Sequence, residues 1–339
     1  MSLVPCAASY IPQNFSIFVP PDIYPYICEI IPHQLLFMES ISSFAELTAH
    51  LTSVNCRKRL AVANAVDLHT LDAVLRAVDL GIVEAFLIGD VAAIESPHLF
   101  ERNPSPHIHI IDIPDVLEAT LEAVRMVKSG EADILMKGLV NTDVLLRAIL
   151  DKEKGLLPAG NVLTFNAALE IPTYHKLIFF SDPVVIPSPN LVQRTAMIRY
   201  AIASAYKFGI KRPKVALIHA TEIANPKIHY MQDYLDIMQE WRDGMFGDVI
   251  MDGPLDIFLA LDTERGSIKN VPTPVLGDAD ILIFPNFESA NCFYKGVSLF
   301  ARAEMAGLLQ GTEKPVVLTS RSESVESKFY SIAMACVVS

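Results

Sequence analysis

Short apolar runs alternate along most of the chain with longer segments whose apolar residues recur at helical spacing. The run RLAVA at 59–63 is short and uninterrupted, which is typical of a buried strand. Leu71, Val74 and Val78 share one face of a helix predicted over 68–80. Repeated strand–helix units of this kind predict an α/β fold with mostly parallel sheets and helices on both faces.

The remaining predicted elements follow the same two patterns. Further strands are predicted at 85–88, 107–111, 132–136, 177–180, 214–219, 249–251, 279–284 and 315–319. Further helices are predicted at 44–51, 116–127, 191–208 and 292–309, in a segment that ends at Trp241, and in one that begins at Ser324. Residues 1–40 are apolar but interrupted by prolines, which predicts an irregular amino-terminal arm and no membrane-spanning helix.

Composition narrows the class of protein. The chain has 339 residues, which favours two domains, and its 51% hydrophobic and 19% charged residues suit a well-packed globular protein. The net charge of −12, with no cluster of Lys and Arg, argues against a nucleic-acid partner. The five cysteines are scattered without a CxxC pair, which fits a reducing, cytoplasmic compartment better than a zinc site or a disulfide framework.

One loop near the carboxyl terminus has the composition of an anion site. Residues Thr319, Ser320, Arg321 and Ser322 lie between the predicted strand at 315–319 and the last helix. Hydroxyl groups, a guanidinium and the backbone N–H groups of a helix N-terminus together bind anions well. The alternative is that the serines only cap the helix, with Glu323 and Glu326 favoured near its positive end.

A second loop of this kind follows the strand at 132–136. It carries Lys137 and Thr142, and Arg147 follows a little over one helical turn later. Polar groups at the carboxyl end of a parallel strand lie where α/β proteins bind ligands. The alternative is that Lys137 is a solvated loop residue and Arg147 pairs with Asp143, four residues before it.

Several common catalytic motifs are missing from the sequence. It contains neither a GxxxxGK[ST] phosphate loop nor a GxGxxG dinucleotide fingerprint. It also lacks a GxSxG nucleophile elbow and an HExxH zinc motif. The sequence therefore does not indicate ATP hydrolysis or ordinary dinucleotide binding. It also does not indicate hydrolysis by a nucleophile-elbow serine or by a zinc site.

Taken together, the polar loops resemble those of the phosphate acetyl/butyryltransferase family. The matching blocks are ADILMKGLVNTDVLLRAIL, FFSDPVVIPSP, TEIANPKI, DGPL, GDADILIFPNFESANCFYKG and VVLTSRSESVESKFYSIAMA, in family order. The LTSRSES form, followed by a Lys and SIA, is more similar to the butyryl branch than to the acetyl branch.

The resemblance implies a reaction and an architecture. Acyl-CoA and inorganic phosphate would be converted reversibly to acyl phosphate and CoA, with CoA as a substrate and no bound cofactor or metal. The implied fold has two α/β domains similar to isocitrate and isopropylmalate dehydrogenases, with the active site in the cleft between them. The expected boundaries are 1–40 for the arm, 41–155 plus 310–339 for the first domain and 156–309 for the second. Homodimers are common in the family, so a homodimer or a higher homo-oligomer is expected.

The resemblance also implies roles for individual residues. Arg321 would hold phosphate or acyl phosphate, and Ser320 would stabilise the developing oxyanion. The expected substrate contacts are Arg147, Lys137, Thr142, Asn291 and Lys295, the last two shaping the cleft and meeting CoA.

The chain departs from the family pattern at two positions. Acetyltransferases have an Asp six residues after the site Arg as the base for the CoA thiol, whereas this chain has Ser327. Glu323 or Glu326 would then act as the base. Asp256 departs from the residue usual after the GPL motif in butyryl enzymes, and it is a candidate for altered acyl-chain preference. Cys292 lies in a site loop, where a small buried residue is expected rather than a nucleophile.

The sequence therefore predicts a cytoplasmic phosphate butyryltransferase-like enzyme that acts by direct thiolate attack in a ternary complex. A phosphate acetyltransferase is the alternative within the same chemistry. Two alternatives of other classes are a metal- and nicotinamide-dependent dehydrogenase, and a non-catalytic CoA-binding or assembly module that has lost the base.

Overall fold

The computed structural model of the chain describes residues 40–54, 56–96, 105–320 and 323–339. The described strands are β1 (Lys58–Ala63), β2 (Val83–Gly89), β3 (Ile108–Asp112), β4 (Ile134–Lys137), β5 (Thr164–Glu170), β6 (Ile178–Ser181), β7 (Lys214–Ile218), β8 (Ile250–Leu255), β9 (Ile281–Ile283), β10 (Glu304–Gln310) and β11 (Val316–Val317).

The described helices are α1 (Phe44–Val54), α2 (Leu68–Asp79), α3 (Val91–Glu95), α4 (Val116–Lys128), α5 (Thr142–Ile149), α6 (Leu191–Lys207), α7 (Met231–Arg242), α8 (Ile257–Leu261), α9 (Thr263–Lys269), α10 (Phe287–Ala301) and α11 (Val325–Val338). None of these helices is long and apolar enough to cross a membrane.

The strands form one sheet in the order β3-β2-β1-β4-β11-β10-β5-β6-β9-β7-β8. The pairings on both sides are parallel, and three antiparallel pairings, β11–β10, β10–β5 and β5–β6, join them in the middle. Because three is an odd number of reversals, the group β3-β2-β1-β4-β11 runs opposite to the group β6-β9-β7-β8. The predicted mixed α/β fold with a mostly parallel sheet is confirmed.

The first predicted helix–strand units form for the reasons visible in the sequence. The carboxylate of Asp67 accepts a hydrogen bond from the backbone N–H of Thr70 at 2.9 Å and thereby caps α2. Leu71, Val74 and Val78 on this helix are buried, as their spacing predicts. Gly81 follows in a left-handed conformation (φ +77°) after the helix ends.

The prediction of a helix over 292–309 is wrong at its carboxyl end. The helix α10 ends at Ala301, because Arg302 adopts a left-handed conformation with φ +56°. Residues Glu304–Gln310 instead form β10, which pairs with β5 along its whole length. Its sequence, EMAGLLQ, is rich in helix-forming residues, so pairing on both sides overrides the local preference. The strand β5 has no counterpart among the predicted elements.

The structure does not test two further predictions. The amino-terminal arm lies outside the described residues, apart from its last residue. The division into two α/β domains stays a prediction.

Candidate active site

A cavity of about 480 Å³ lies over the antiparallel centre of the sheet. Loops from both parallel groups reach it, after β4 and β11 on one side and after β6 and β9 on the other. The lining residues are Lys137, Val140, Asn141, Thr142, Phe165, Pro183, Val184, Phe287, Asn291, Tyr294, Lys295, Met305, Leu318, Thr319, Ser320 and Glu323. Six separate segments therefore form one cavity.

The loop after β4 is held against the end of β1. The backbone N–H groups of Gly138 and Leu139 donate to the carbonyls of Ala63 and Asn64, both at 2.9 Å. A Cβ atom at Gly138 would lie 2.4 Å from the Asn64 carbonyl oxygen, so only glycine fits this close approach. The glycine thus fixes where Lys137 and the start of α5 meet the cavity.

Lys137 is a buried residue and not a solvated loop residue, since its side chain is only 4% exposed. Its ammonium group donates to the carbonyl oxygens of Gly138 and Thr319, each at 3.4 Å. It also borders a second cavity of about 250 Å³, to which Asp67, His69 and Lys328 contribute. The alternative of a solvated Lys137 is therefore excluded.

The loop after β11 folds back on itself through Glu323. The Ser320 N–H donates to the Glu323 carboxylate at 2.9 Å, and the Glu323 N–H donates to the Ser320 carbonyl at 3.3 Å. Arg321, the predicted anion-binding residue, lies outside the described residues with Ser322. Ser324 caps α11 by accepting from the Ser327 N–H at 3.0 Å, so capping does occur in this segment, but one residue beyond the cavity loop.

Glu323 has the electrostatic environment of a proton acceptor. Burial raises the pKa of its carboxyl group, while the hydrogen bond from Ser320 and the charges of Lys328 and Lys137 oppose this shift. Tyr294 faces the same group, and burial together with the charge of Glu323 raises the pKa of its phenol. A carboxylate with a raised pKa in a cavity is a recognised mark of acid–base chemistry.

The structure separates the two glutamates that the sequence left equivalent. Glu323 lines the cavity, whereas Glu326 is exposed on the first turn of α11 and is not among the lining residues. Ser327, at the position of the family's Asp, is buried and donates to Glu304 at 2.9 Å. Ser327 does not line the cavity either. Its acceptor Glu304 is next to the lining residue Met305 on β10, so the two lie on opposite faces of that strand.

Three of the remaining predicted substrate contacts line the cavity, and one does not. Thr142, Asn291 and Lys295 line the cavity, and the Asn291 amide donates to the Pro183 carbonyl at 3.0 Å. Arg147 does not line it: its side chain is 84% exposed and lies 3.7 Å from Asp143, four residues before it. For Arg147 the structure therefore favours the alternative interpretation.

Two sequence-level expectations around the site change. Asp256 accepts from the Leu259 N–H at 2.8 Å and pairs with Lys269, so it caps α8 and is not a lining residue. Cys292 is exposed, contrary to the expected burial, and does not line the cavity.

Lys328 is a site residue that the sequence analysis did not single out. Its side chain is 3% exposed, and its ammonium donates to the Thr319 hydroxyl at 3.1 Å and to the Ser320 carbonyl at 3.0 Å. Burial lowers its pKa, and the nearby carboxylates of Asp67 and Glu323 oppose this. A lysine on the apolar face of a buried helix, between Val325 and Ile332, was the available signal.

The wall of the cavity after β6 depends on one buried carboxylate. Asp182 accepts hydrogen bonds from the Thr164 hydroxyl at 2.8 Å and from the Phe165 N–H at 3.0 Å. It also accepts from the N–H groups of Val184 and Val185, both at 2.8 Å. Burial raises its pKa and these donors lower it. The same side chain thus holds a lining residue of β5 and one of the following loop.

Comparison with known proteins gives a consistent result. Residues 113–336 match the family described as Phosphate acetyl/butaryl transferase. The chain is 37% identical over 298 residues to the phosphate butyryltransferase of Clostridium acetobutylicum, covering 88% of this chain and 98% of the relative. It is also 37% identical over 284 residues to the phosphate acetyltransferase of Thermotoga maritima, covering 83% and 95% respectively.

A solved structure of similar fold is the branched-chain phosphotransacylase from Enterococcus faecalis V583. The two structures have a TM-score of 0.70 and 29% sequence identity, over 83% of this chain and 99% of the other.

Proposed function

Because this chain belongs to the phosphate acetyl/butaryl transferase family and is a phosphate acyltransferase, we propose that a short acyl group such as butyryl is its substrate. The enzyme converts acyl-CoA and inorganic phosphate to acyl phosphate and CoA, and the reverse. The observation that carries the assignment of the site is the meeting of Ser320, Glu323 and Lys137 in one cavity. Phosphate acetyltransferase activity is the alternative, since both kinds of relative are equally similar to this chain.

The anion is held by the loop after β11. Arg321 binds phosphate or the phosphoryl group of acyl phosphate through its guanidinium fork, a role that rests on the family resemblance. Ser320 donates to the oxygen that becomes negative in the tetrahedral intermediate. The buried ammonium groups of Lys137 and Lys328 position this loop, and their positive charge favours an anion beside it.

Glu323 is the general base for the CoA thiol. It is the carboxylate that lines the cavity, and its raised pKa brings it closer to neutral pH, where bases operate efficiently. Ser327 cannot take a proton at that position and is tied to Glu304. Glu326 is exposed and does not reach the cavity lining.

The reaction proceeds by direct transfer within a ternary complex. Glu323 takes the proton from the thiol, and the thiolate sulfur attacks the carbonyl carbon of acyl phosphate. The new C–S bond forms, the C–O bond to phosphate breaks, and phosphate leaves with the electron pair. In the opposite direction a phosphate oxygen attacks the thioester carbonyl and the C–S bond breaks. No covalent bond to the enzyme forms, which agrees with the exposed position of Cys292 away from the cavity lining.

Three wider features belong to the same proposal. The site lies in a cleft between two dehydrogenase-like α/β domains, and the convergence of loops from two oppositely directed strand groups supports this. The protein is cytoplasmic, which its scattered cysteines favour, and it acts as a homodimer or a higher homo-oligomer, as the family resemblance implies. CoA enters as a substrate, and no bound cofactor or metal takes part.

The test is phosphate-dependent release of CoA thiol from acetyl-, butyryl- and hexanoyl-CoA. We expect turnover that requires phosphate and is fastest with butyryl-CoA. Arg321→Ala should lower kcat/KM by about 100-fold, as loss of a charged contact to the transition state does. The control is Arg212→Ala, an exposed arginine that pairs with Asp248. Failure of the native protein on every acyl-CoA, with CoA binding intact, would contradict the proposal and favour a non-catalytic CoA-binding module.

A further inference from the structure

The cavity has an apolar floor that the reaction chemistry does not use. Phe165, Met305 and Leu318 line it and are each at most 6% exposed, so they form a closed apolar surface. Val140, in the loop after β4, also lines the cavity and is 1% exposed, whereas Val184 and Phe287 are more exposed and lie in a loop and at the start of α10. A buried apolar floor beside a polar reaction centre is the arrangement that binds the apolar end of a substrate.

The floor is built from one face of the antiparallel centre. Met305, Gly307 and Leu309 alternate onto the same face of β10, and Phe165 on β5 lies directly opposite Leu309. A Cβ atom at Gly307 would lie 2.3 Å from the Cζ atom of Phe165, so the ring packs directly on the glycine backbone. The glycine leaves room for the ring, and Met305 is the next side chain along that face.

The distance from the floor to the reaction centre is short. Leu318 precedes Ser320 by two residues, so their Cα atoms are at most about 7 Å apart. An acyl group whose carbonyl is held by Ser320 therefore has only a few methylene groups' length before it meets the floor. Met305 is an unbranched and adaptable side chain, and its size sets how much of that length remains open.

We infer that Met305, which follows Gly307 and the Phe165 ring along the same cavity-facing side of β10, sets the acyl-chain length that the enzyme accepts. This inference rests on the proposed function and deepens it. It assigns chain-length selection to the floor of the cavity and not to Asp256, which caps α8 outside the lining. The ligand class is a short-chain acyl group. Burial of each methylene group changes kcat/KM about fourfold, so the two that distinguish butyryl from acetyl are worth roughly 15-fold.

The experiment compares Met305→Phe, which fills the floor, with Met305→Ala, which deepens it. We measure kcat/KM for acetyl-, butyryl- and hexanoyl-CoA at saturating phosphate. Met305→Phe should lower the ratio of butyryl to acetyl by about 10-fold, and Met305→Ala should raise the ratio of hexanoyl to butyryl by about fourfold or more. The matched control is Met251→Ala, a buried methionine on β8 that does not line the cavity, whose ratios should equal those of the native enzyme.

The outcomes separate this inference from the function on which it rests. Ratios that stay within twofold of the native ones in both Met305 variants, with butyryl turnover present, would overturn the inference alone. A native protein without phosphate-dependent turnover would overturn the proposed function and the inference with it. If Met305→Phe does not fold, the ratio of hexanoyl to butyryl in Met305→Ala decides the question by itself. This substitution only removes side-chain atoms from the floor and adds no steric clash.

Discussion

The charged residues at the amino ends of the parallel strands differ in their partners from Lys328 and Glu323, which lie near the carboxyl end of β11. At the amino ends, the Arg59 guanidinium makes two hydrogen bonds to Asp133, at 3.0 and 2.8 Å. Lys176 and Lys214 contact Asp280 and Asp278 at 2.6 and 2.8 Å. At the carboxyl ends, Lys328 donates to a hydroxyl and a carbonyl, and Glu323 accepts from a backbone N–H.

The same kinds of residue therefore do different work at the two ends. Opposite charges in contact stabilise one another and hold the strand ends together. Charged groups that are buried beside neutral partners keep a perturbed pKa and a capacity to interact with a ligand. Local pairing thus separates charges that have an opposite charge as partner from the candidate catalytic charges, where residue type alone does not.

The sharpest test of the carboxyl-end group is Glu323→Gln. Because a general base contributes about 100-fold or more, we expect kcat/KM to fall by about 100-fold, with a smaller loss in Glu326→Gln. Since the proposed base acts in its ionised form and its pKa is raised, native kcat/KM should decline as the pH is lowered, and the decline should begin above the ordinary carboxyl range. A larger loss in Glu326→Gln would transfer the role to that residue.

Although Glu323→Gln should lower activity, it should not lower stability. A carboxyl group whose folded pKa is raised stabilises the fold below its unfolded pKa, and this contribution is lost as the pH rises through the folded pKa. At pH 7 the ionised group is therefore unfavourable, and the neutral glutamine should not lower the free energy of unfolding. Urea denaturation of both proteins at pH 7 measures this difference.

An intermediate effect is expected from Lys328→Met, which keeps the length of the side chain and removes two hydrogen bonds to the cavity loop. Because Thr319 and Ser320 would then be held less firmly in place, kcat/KM should fall by about 10-fold. Stability at neutral pH should change little, since a buried charge is costly to keep. The control is Lys154→Met at an exposed position. An active variant with a large loss of stability would make Lys328 a structural residue instead.

The smallest effect is expected at the amino ends, from Asp278→Asn. Burial alone would raise the pKa of Asp278, but hydrogen bonds from Lys176 and Lys214 lower it to about 2. The group therefore stabilises the fold above its unfolded pKa, and this contribution is lost as the pH falls from about 4 towards 2. Because the side chain is about a third exposed, we expect a cost of about 1 kcal/mol at pH 7.

Asp278→Asn should leave kcat/KM unchanged, and its stability should depend less on pH than that of the native protein between pH 5 and 3. Unfolding by urea across this range, together with the activity assay, measures both. A loss of activity without a loss of stability would break the distinction between the two ends of the strands.

The outer parts of the sheet could be predicted from the sequence, and its centre could not. The strands near Ala61 and Val215 are continuous apolar runs, and each is followed by a helix, so the local sequence pattern is sufficient to identify them. β5 and β10 lie in the middle of the sheet, and the residues of β10 favour a helix when they are considered alone. Their strand conformation depends on partners far along the chain, which a local pattern does not contain.

The candidate site shows the same limit. Ser320, Glu323 and Lys137 could be found because each follows a strand in a polar loop. Lys328 is a helix residue whose function depends on what it faces, and Met305 belongs to a strand that was missed. Arg147 fitted the loop pattern, but its position on the helix directs it to Asp143 and solvent.

The shared anchoring of Phe165 and Val184 by Asp182 has a consequence for motion. Phe165 in the floor and Val184 in the loop after β6 donate to the same carboxylate. Neither segment can therefore move away without disturbing the hydrogen bonds of the other. The adjoining wall, α10, buries only Ala290 of its fifteen residues, and its Asn291 amide donates to the Pro183 carbonyl of the same loop at 3.0 Å. We therefore expect α10 to fluctuate more than the sheet, which would let a long thioester enter and a product leave.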